Sequence, residues 1–578
     1  MILQHLNAYY DRLLKEGADV PAYGFQRKEL PFIIVLESDG HFSHLEDTRT
    51  REGKKLIAKS YLIPAEKSRP GKNAHDIANI LWDKPGYLFG EAYQKGEAYQ
   101  KQYISFQKEI ETLFGSEPED EGVNAVLSFV KKGDFSALME SEHWQTIQKK
   151  GPFMSFRLRG DDRLICQREA VKEAIKLSHQ DDTASSRFCS IAGEYDTPAR
   201  LHPKIKGIWG AQSSGAALVS FNLNAFNSYG KSQGDNAPVG EHAAFGYATA
   251  LNRLIRSDNH RLRLGEVTVL FWSQSDNPLE NNFADFFSTD TRRKSHDEDT
   301  DAIREVLSAP KSGVLPDDTL ELPFYVLGLS PNAARLSVRF WYEGSVGKTL
   351  EHIQCYFDEL HIVKRFDDEP NFPTLGKLLL STALEYKWDN VPPNLTGTFF
   401  LAALYGTRYP ETLLSSVIRR IRAEASKNTI TYERAALLKA LLIRNHHKEI
   451  TMSLDTTRTD PSYLLGRLFA VLEHLQSRAQ GPLNASIRER YYGSASSTPI
   501  SVYPTLLKLS THHLAKLDNP GLKNWYESLI QDILKPLDDW PTHLPLTEQA
   551  LFALGYYHQR ADLYTVKTDK KIQGEHHE

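Results

Sequence analysis

The chain has almost no cysteine: three in 578 residues, Cys166, Cys189 and Cys355, none in a CxxC pair. That excludes a disulfide framework and a cysteine-based zinc site, and it fits a reducing cytoplasm. Methionine is nearly as scarce, with Met1, Met139, Met154 and Met452 alone. No run of about 18 apolar residues occurs, so no membrane-spanning helix is expected, and the opening "MILQHLNAYYDRLLKEG" lacks the apolar run of a signal peptide. A global basic excess is missing too. The formal net charge is −5, so any contact with a polyanion must come from local patches or from partner subunits.

What is present is a soluble-type composition, 40% hydrophobic and 25% charged, in a chain long enough for two to four domains. The first residues space Ile2, Leu6, Tyr9, Leu13 and Leu14 as one helical face. "PFIIVLESDGHFSHLEDTR" predicts a hairpin about Asp39-Gly40, and "KKLIAKSYLIPAEK" a further strand. Residues 86–150 are helix-rich. "FMSFRLRGDDRLICQ" predicts two strands about a Gly-Asp turn, "RFCSIAG" a short strand, "GEHAAFGYATALNRLIRS" a helix and "RLRLGEVTVLFWS" a strand. The polar stretch "STDTRRKSHDEDTD" suits an exposed loop. "LPFYVLGLSPNAARLSVRFWYEG" holds two strands about a Ser-Pro-Asn turn. From about residue 347 the pattern is helix after helix. The expected class is α+β: an N-terminal α/β domain with antiparallel strands over 1–345, a helical middle region with a basic face over 346–450, and a helical bundle over 451–578.

The stretch "GIWGAQSSGAALVSFNLNAFNSYGKSQG", Gly207–Gly234, offers two partial phosphate-loop patterns. Gly230-Lys231-Ser232 supplies the end of one, but Ala225 stands where its first glycine belongs. Gly210 and Gly215 have the spacing of another, but Ala216-Ala217 replace the required Lys-Ser/Thr. Gln212 occupies the serine position of a nucleophile elbow. No HExxH or EF-hand loop occurs. The pairs His446-His447 and His512-His513 point about 100° apart on a helix and make poor chelates. No catalytic residue, metal ligand or cofactor site is therefore assigned. A nucleotide- or nucleic-acid-hydrolysing enzyme built on loop 207–234 stays as the alternative.

Two basic regions stand out. Arg200, His202, Lys204 and Lys206 precede the glycine-rich loop; Lys231, Arg253, Arg256, Arg261 and Arg263 follow within or after it. Between them lie Gln212, Ser213, Ser214, Asn222, Asn224, Asn227 and Ser228. Amides, hydroxyls and open backbone N–H groups among cations suit phosphate contacts, and Asn or Gln suit base edges. A plain packing loop with solvated basic neighbours accounts for the same residues. Arg408–Lys448 holds nine Lys/Arg against three Glu, with Arg419, Arg420 and Arg422 clustered on one helix. It reads either as a polyanion contact or as a solvated helical face.

Longer stretches carry more. "MILQHLNAYYDRLL", "PAYGFQRKELPFIIVLESDG", "ILWDKPGYLFG", "HPKIKGIWGAQSSGAALVSFNLNAFNSYG", "NAPVGEHAAFGYATALNRL" and "DPSYLLGRLFAVLEHLQ" resemble the large subunit of the type I-C CRISPR surveillance complex, Cascade, over nearly the whole chain. The resemblance implies a non-catalytic role in antiviral defence, within a crRNA-guided ribonucleoprotein. The chain would sit beside the backbone and crRNA-processing subunits near the guide 5′ end. It would read the protospacer-adjacent motif (PAM) on target double-stranded DNA, start strand separation and help recruit a separate helicase-nuclease. It further implies a small subunit translated internally from the same frame, and Met452, just ahead of a new helical segment, is the expected start. Within this frame the chemistry favours Gln212, Ser213 and Ser214 as groove or phosphate contacts. Asn227, Lys231, Arg253, Arg256, Arg419, Arg420 and Arg422 join them. Lys72 and Asn73 lie on the "SRPGKNAHD" turn of the N-terminal domain, where the family reads the PAM.

Overall fold

A computed structural model describes residues 1–53, 55–67, 69, 75–178, 186–289, 304–308, 315–392, 394–424, 430–481 and 485–574. The charged stretch 290–303 lies outside them. The chain forms two compact units: residues 1–205 with 217–253, and residues 206–216 with 254–578.

The first unit is built on a four-stranded sheet ordered Phe42–Asp47, Phe32–Leu36, Met154–Leu158, Trp82–Asp83. Phe32–Leu36 is apolar throughout and buried along its whole length, as a central strand with both faces covered must be. It pairs antiparallel with Phe42–Asp47 through the expected turn, where Gly40 takes φ +83°. Its other neighbour, Met154–Leu158, runs parallel to it. That pairing needs a crossover, and the helices Glu97–Phe114 and Glu121–Lys132 lie within it. The second of these starts on Asp120, whose Oδ1 accepts the Val123 amide at 3.0 Å, and stops on Gly133 at φ +65°. Its Val123, Val126, Phe129 and Val130 enter the sheet core. Two differences from the sequence reading arise here. "KKLIAKSYLIP" makes two short strands, Lys55–Ala58 and Ser60–Pro64, in separate ribbons. "RLICQ" is no strand: Ile165–Gln167 is a 3-10 turn.

In the second unit Arg261–Leu264, Val267–Ser273, Pro323–Asn332 and Arg335–Ser345 form an antiparallel sheet in chain order. The first two strands fold about Gly265, and the last two reverse at Ala333-Ala334 rather than at Ser-Pro-Asn. Helices follow to the C-terminus, so the α+β class expected from the sequence holds. The composition change near residue 345 marks no structural boundary. One continuous hydrophobic core runs from Leu262 on the sheet, through Leu350 and Leu438, to Tyr557. For the same reason no divide appears at 450: Tyr432–His446, Pro461–Gln480 and Leu546–Gly574 share that core. The last two helices cross at paired glycines. A Cβ on Gly466 would stand 2.0 Å from the Phe552 carbonyl oxygen, and one on Gly555 would stand 2.2 Å from that of Tyr463. Just before this bundle, Pro461 takes the first helical position, and Asp455 Oδ1 closes a turn by accepting the Thr457 amide at 2.9 Å. Among the described residues no helix is long and apolar enough to cross a membrane.

Candidate nucleic-acid interface

Residues 206–216 belong to the second unit and form a loop of two consecutive turns. The Ala211 amide donates to the Ile208 carbonyl at 3.1 Å, and the Gly215 amide to that of Gln212 at 2.9 Å. Gly207 and Gly210 take φ of +87° and +77°, a region closed to most side chains, and this bends the chain out and back. Ile208 is buried as the anchor. Its neighbour Trp209 is 61% exposed, with the Arg263 guanidinium 3.8 Å from its ring centre. Arg263 is held in turn by Nε donating to the Gly265 carbonyl at 3.1 Å. Gln212, Ser213 and Ser214 are exposed at the tip, and Arg256 is exposed on the same unit. This surface offers amide, hydroxyl and guanidinium donors beside an aromatic ring, the groups that phosphates and bases accept.

The continuation of the glycine-rich stretch, from 217 on, belongs to the first unit, so the sequence candidates divide between two bodies. Asn227 and Lys231 flank an exposed turn clamped by Asn236. Asn236 Oδ1 accepts the Ser228 amide at 2.9 Å, and its Nδ2 donates to Asn227 Oδ1 at 3.3 Å and to the Gln233 carbonyl at 3.0 Å. One polar atom of Asn227 is thus already engaged. At the apex Tyr229 is 99% exposed at φ +53°. Gly230-Lys231-Ser232 leads into a four-residue 3-10 turn, Gln233–Asn236, and follows another, Asn224–Phe226. A phosphate loop needs a strand before and a helix after. Arg253 is exposed on this unit. Two of the basic neighbours change role. Arg200 donates to Gln233 Oε1 at 2.8 Å. His202 packs against Tyr247, its Nδ1 2.7 Å from the tyrosine oxygen, and burial lowers its pKa to about 4, so it is neutral at physiological pH.

Lys72 and Asn73 lie outside the described residues, but their loop is anchored in view. The Lys67 amide donates to Asn79 Oδ1 at 2.9 Å. Arg69 donates to the Ile77 carbonyl at 2.7 Å, pairs with the fully buried Asp83 and lies 4.1 Å from the Tyr87 ring centre. Arg69, one of the two basic residues of that turn, is therefore committed to structure.

Most of the described cations of the basic segment 408–448 are paired inside the protein. Arg434 is fully buried, donating to the Ser381 carbonyl and pairing with Glu424, both at 2.8 Å. Lys439 donates to the Asp358 and Glu359 carbonyls at 3.2 and 3.1 Å. Arg444 pairs with Glu359 at 2.9 Å, and Lys448 reaches Glu548 at 3.4 Å and Asp460 at 3.6 Å. Of the arginine cluster, Arg420 turns inward to Glu424 at 3.6 Å, while Arg419 and Arg422 remain exposed on the helix Glu411–Ala423. An open cleft of about 740 Å³, lined in part by His447, Lys448, Asp455, Arg458 and Asp460, lies beside this region. Its Arg458 pairs with Asp460 at 2.9 Å.

The residues that sequence reasoning passed over are Trp209 and Tyr229. The available signal was a large aromatic set among Gly, Ser and Asn. Among the described residues no group of three or more His, Cys, Asp or Glu is placed to hold a metal ion. A family model described as CRISPR-associated protein (Cas_Csd1) matches residues 6–564 of the chain. No curated protein matches it.

Proposed function

The chain belongs to the CRISPR-associated Cas_Csd1 family, and on that premise we propose that it is the large subunit of a type I-C crRNA-guided surveillance complex. In this reading it recognises the PAM on duplex DNA, promotes the opening of the strands beside it, and supports recruitment of a helicase-nuclease, with no cleavage chemistry of its own. Sequence reading is left to guide pairing, so the protein needs only a short motif-reading surface and backbone contacts. The observation that carries the proposal is the loop 206–216. It puts Gln212, Ser213 and Ser214 at an exposed tip on a chain turned outward by Gly207 and Gly210, with Arg256 and Arg263 on the same unit. Net charge of −5 is compatible with this role, because guide and partner subunits supply the rest of the electrostatics.

The same reading assigns the chain a shorter partner, a small subunit begun at or near Met452. A chain begun there would keep the aromatic cluster in which Phe469 meets Tyr492, Phe552 and Tyr556 at ring distances of 5.8, 6.0 and 6.1 Å, while losing the helix Tyr432–His446 that shares its core. The test of the main proposal is a gel shift of the assembled complex on a PAM-randomised duplex library. The wild type selects a motif. Gln212→Ala with Ser213→Ala assembles normally but loses affinity for the selected duplex, each lost contact costing roughly 1–3 kcal/mol. Binding with no motif preference, or full affinity in the double variant, would count against it.

A further inference from the structure

We propose that Trp209, backed by Arg263, is a stacking platform for one unpaired nucleobase. The inference rests on the nucleic-acid reading above and names what this loop takes from its ligand: a base freed from its pair, rather than a base-pair edge or a phosphate.

An indole is the largest apolar side chain, and leaving it 61% exposed forgoes a large burial gain. Here the exposed ring is also held in place. Ile208 anchors the residue before it. Gly207, packed toward Ile255, and Gly210, packed toward Pro331, fix the backbone on either side; their Cβ positions would stand 3.0 and 3.3 Å from those residues. Arg263, on the strand Arg261–Leu264, lies 3.8 Å from the ring centre and is itself fixed by Gly265. A ring ordered before binding loses little rotamer freedom when a ligand arrives.

The surroundings select the ligand. A docking site for an apolar protein side chain would carry an apolar rim. Past Gly210 and Ala211 the same loop carries the exposed Gln212, Ser213 and Ser214, and Arg256 follows the Ile255 that Gly207 packs toward. Polar donors and guanidinium groups suit the sugar-phosphate that every base carries. A guanidinium over one part of the π surface, with the rest of the ring open, leaves room for a base as a third layer. Stacking of this kind tolerates any base, since every base has a π face, and suits a protein whose sequence choice is made elsewhere.

The test uses the purified full chain and fluorescence anisotropy at low salt, with labelled oligo-dT, an abasic oligonucleotide of equal length and a short duplex as probes. Trp209→Ala weakens oligo-dT binding by roughly 5- to 150-fold, the range for losing one base stack. Trp209→Phe retains most of the affinity, and wild type and Trp209→Ala bind the abasic strand alike. Unchanged thermal unfolding shows that the loop variant is folded. Equal oligo-dT affinity for wild type and Trp209→Ala overturns the proposal, as does an equal loss on the abasic strand. Undisturbed DNA binding, with loss of Trp209→Ala from the assembled complex, overturns it by giving the ring to a protein neighbour. If the wild-type chain binds no oligo-dT, the inference falls; if the assembled complex binds no duplex either, the nucleic-acid reading falls with it. If the wild type binds duplex and oligo-dT but Trp209→Ala changes nothing, only the inference falls.

Discussion

Replacing Gly466 by alanine adds one methyl group where two helix backbones meet. The new Cβ would lie 2.0 Å from the Phe552 carbonyl oxygen and 2.9 Å from the Tyr556 amide nitrogen. Both obstacles are backbone, so no side chain can swing aside, and the helices Pro461–Gln480 and Leu546–Gly574 must part by about 1 Å to restore a normal contact. Parting them loosens the packing of Tyr463, Phe469, Phe552 and Tyr556 along the crossing. Overpacking costs about 1–3 kcal/mol, and with no soft neighbour the upper end applies. Alanine recovers about 1 kcal/mol of intrinsic helix preference. The net loss is about 2 kcal/mol, which lowers the unfolding midpoint of a unit this large by roughly 3 °C. Gly493 is the matched control: it lies inside the helix Ile487–Ala495 with nothing within 4 Å of its Cβ position, so Gly493→Ala is neutral or stabilising by up to about 1 kcal/mol. Two units preclude a simple two-state fit. Amide hydrogen exchange of residues 461–480 therefore reads the change locally, beside the thermal scan. A Gly466→Ala protein at least as stable as the wild type would refute the close crossing.

The arginine cluster divides by partner. Arg419→Ala with Arg422→Ala lowers the salt slope of DNA binding by the assembled complex by roughly 1.4–1.8 if each meets a phosphate. Arg420→Ala, which loses an internal ion pair with Glu424, leaves the slope unchanged; equal slopes in all three proteins would assign this face to protein or solvent. Burial lowers the pKa of His202 to about 4 and that of His558 to about 3. Between about pH 6.5 and those values the unfolded chain binds the extra protons, so stability is full above about pH 6.5 and declines as pH falls toward 4. His202→Gln flattens part of that decline in a urea-midpoint series, and an identical pH dependence in the variant would contradict the buried neutral assignment. Expression from the untagged gene yields a second product matching residues 452–578 by intact mass, and silencing codon 452 removes it; its persistence would place the start elsewhere.

Elements with strong local patterns were legible in the sequence: the apolar strand 32–36, its Asp39-Gly40 turn, and the helix 241–256 between its glycine-rich approach and the next strand. What was not legible depends on distant partners. "RLICQ" has strand-like residues, yet Gln167 folds its side chain back onto the Leu164 amide at 3.1 Å and donates to the Leu62 carbonyl at 2.9 Å, and that contact fixes a 3-10 turn. The charge run 408–448 looked unpaired because its partners, Glu359, Asp460, Glu548 and the Ser381 carbonyl, come from elsewhere in the chain. The candidate site was legible as chemistry but not as geography. Hydroxyls and amides marked Gln212, Ser213 and Ser214, while nothing local showed that residues 206–216 and 217–253 belong to different bodies. Trp209 was passed over because a lone tryptophan in sequence reads as core until its exposure is known.

The division of the chain also has a consequence in time. Residues 206–216 are synthesised within the first unit's sequence but belong to the second. The neighbours that shape this strip, Ile255, Arg263 and Pro331, emerge later, Pro331 more than a hundred residues after Gly210. At roughly 5–20 residues per second the delay is on the order of ten seconds. From residue 253 on the first unit has its complete sequence, while Trp209 waits for the strands Pro323–Asn332 and Arg335–Ser345 that complete the sheet carrying Arg263. On a growing chain this strip is the point where a chaperone or an early misfolded contact finds exposed tryptophan, and ribosome pausing between codons 216 and 331 lengthens that exposure.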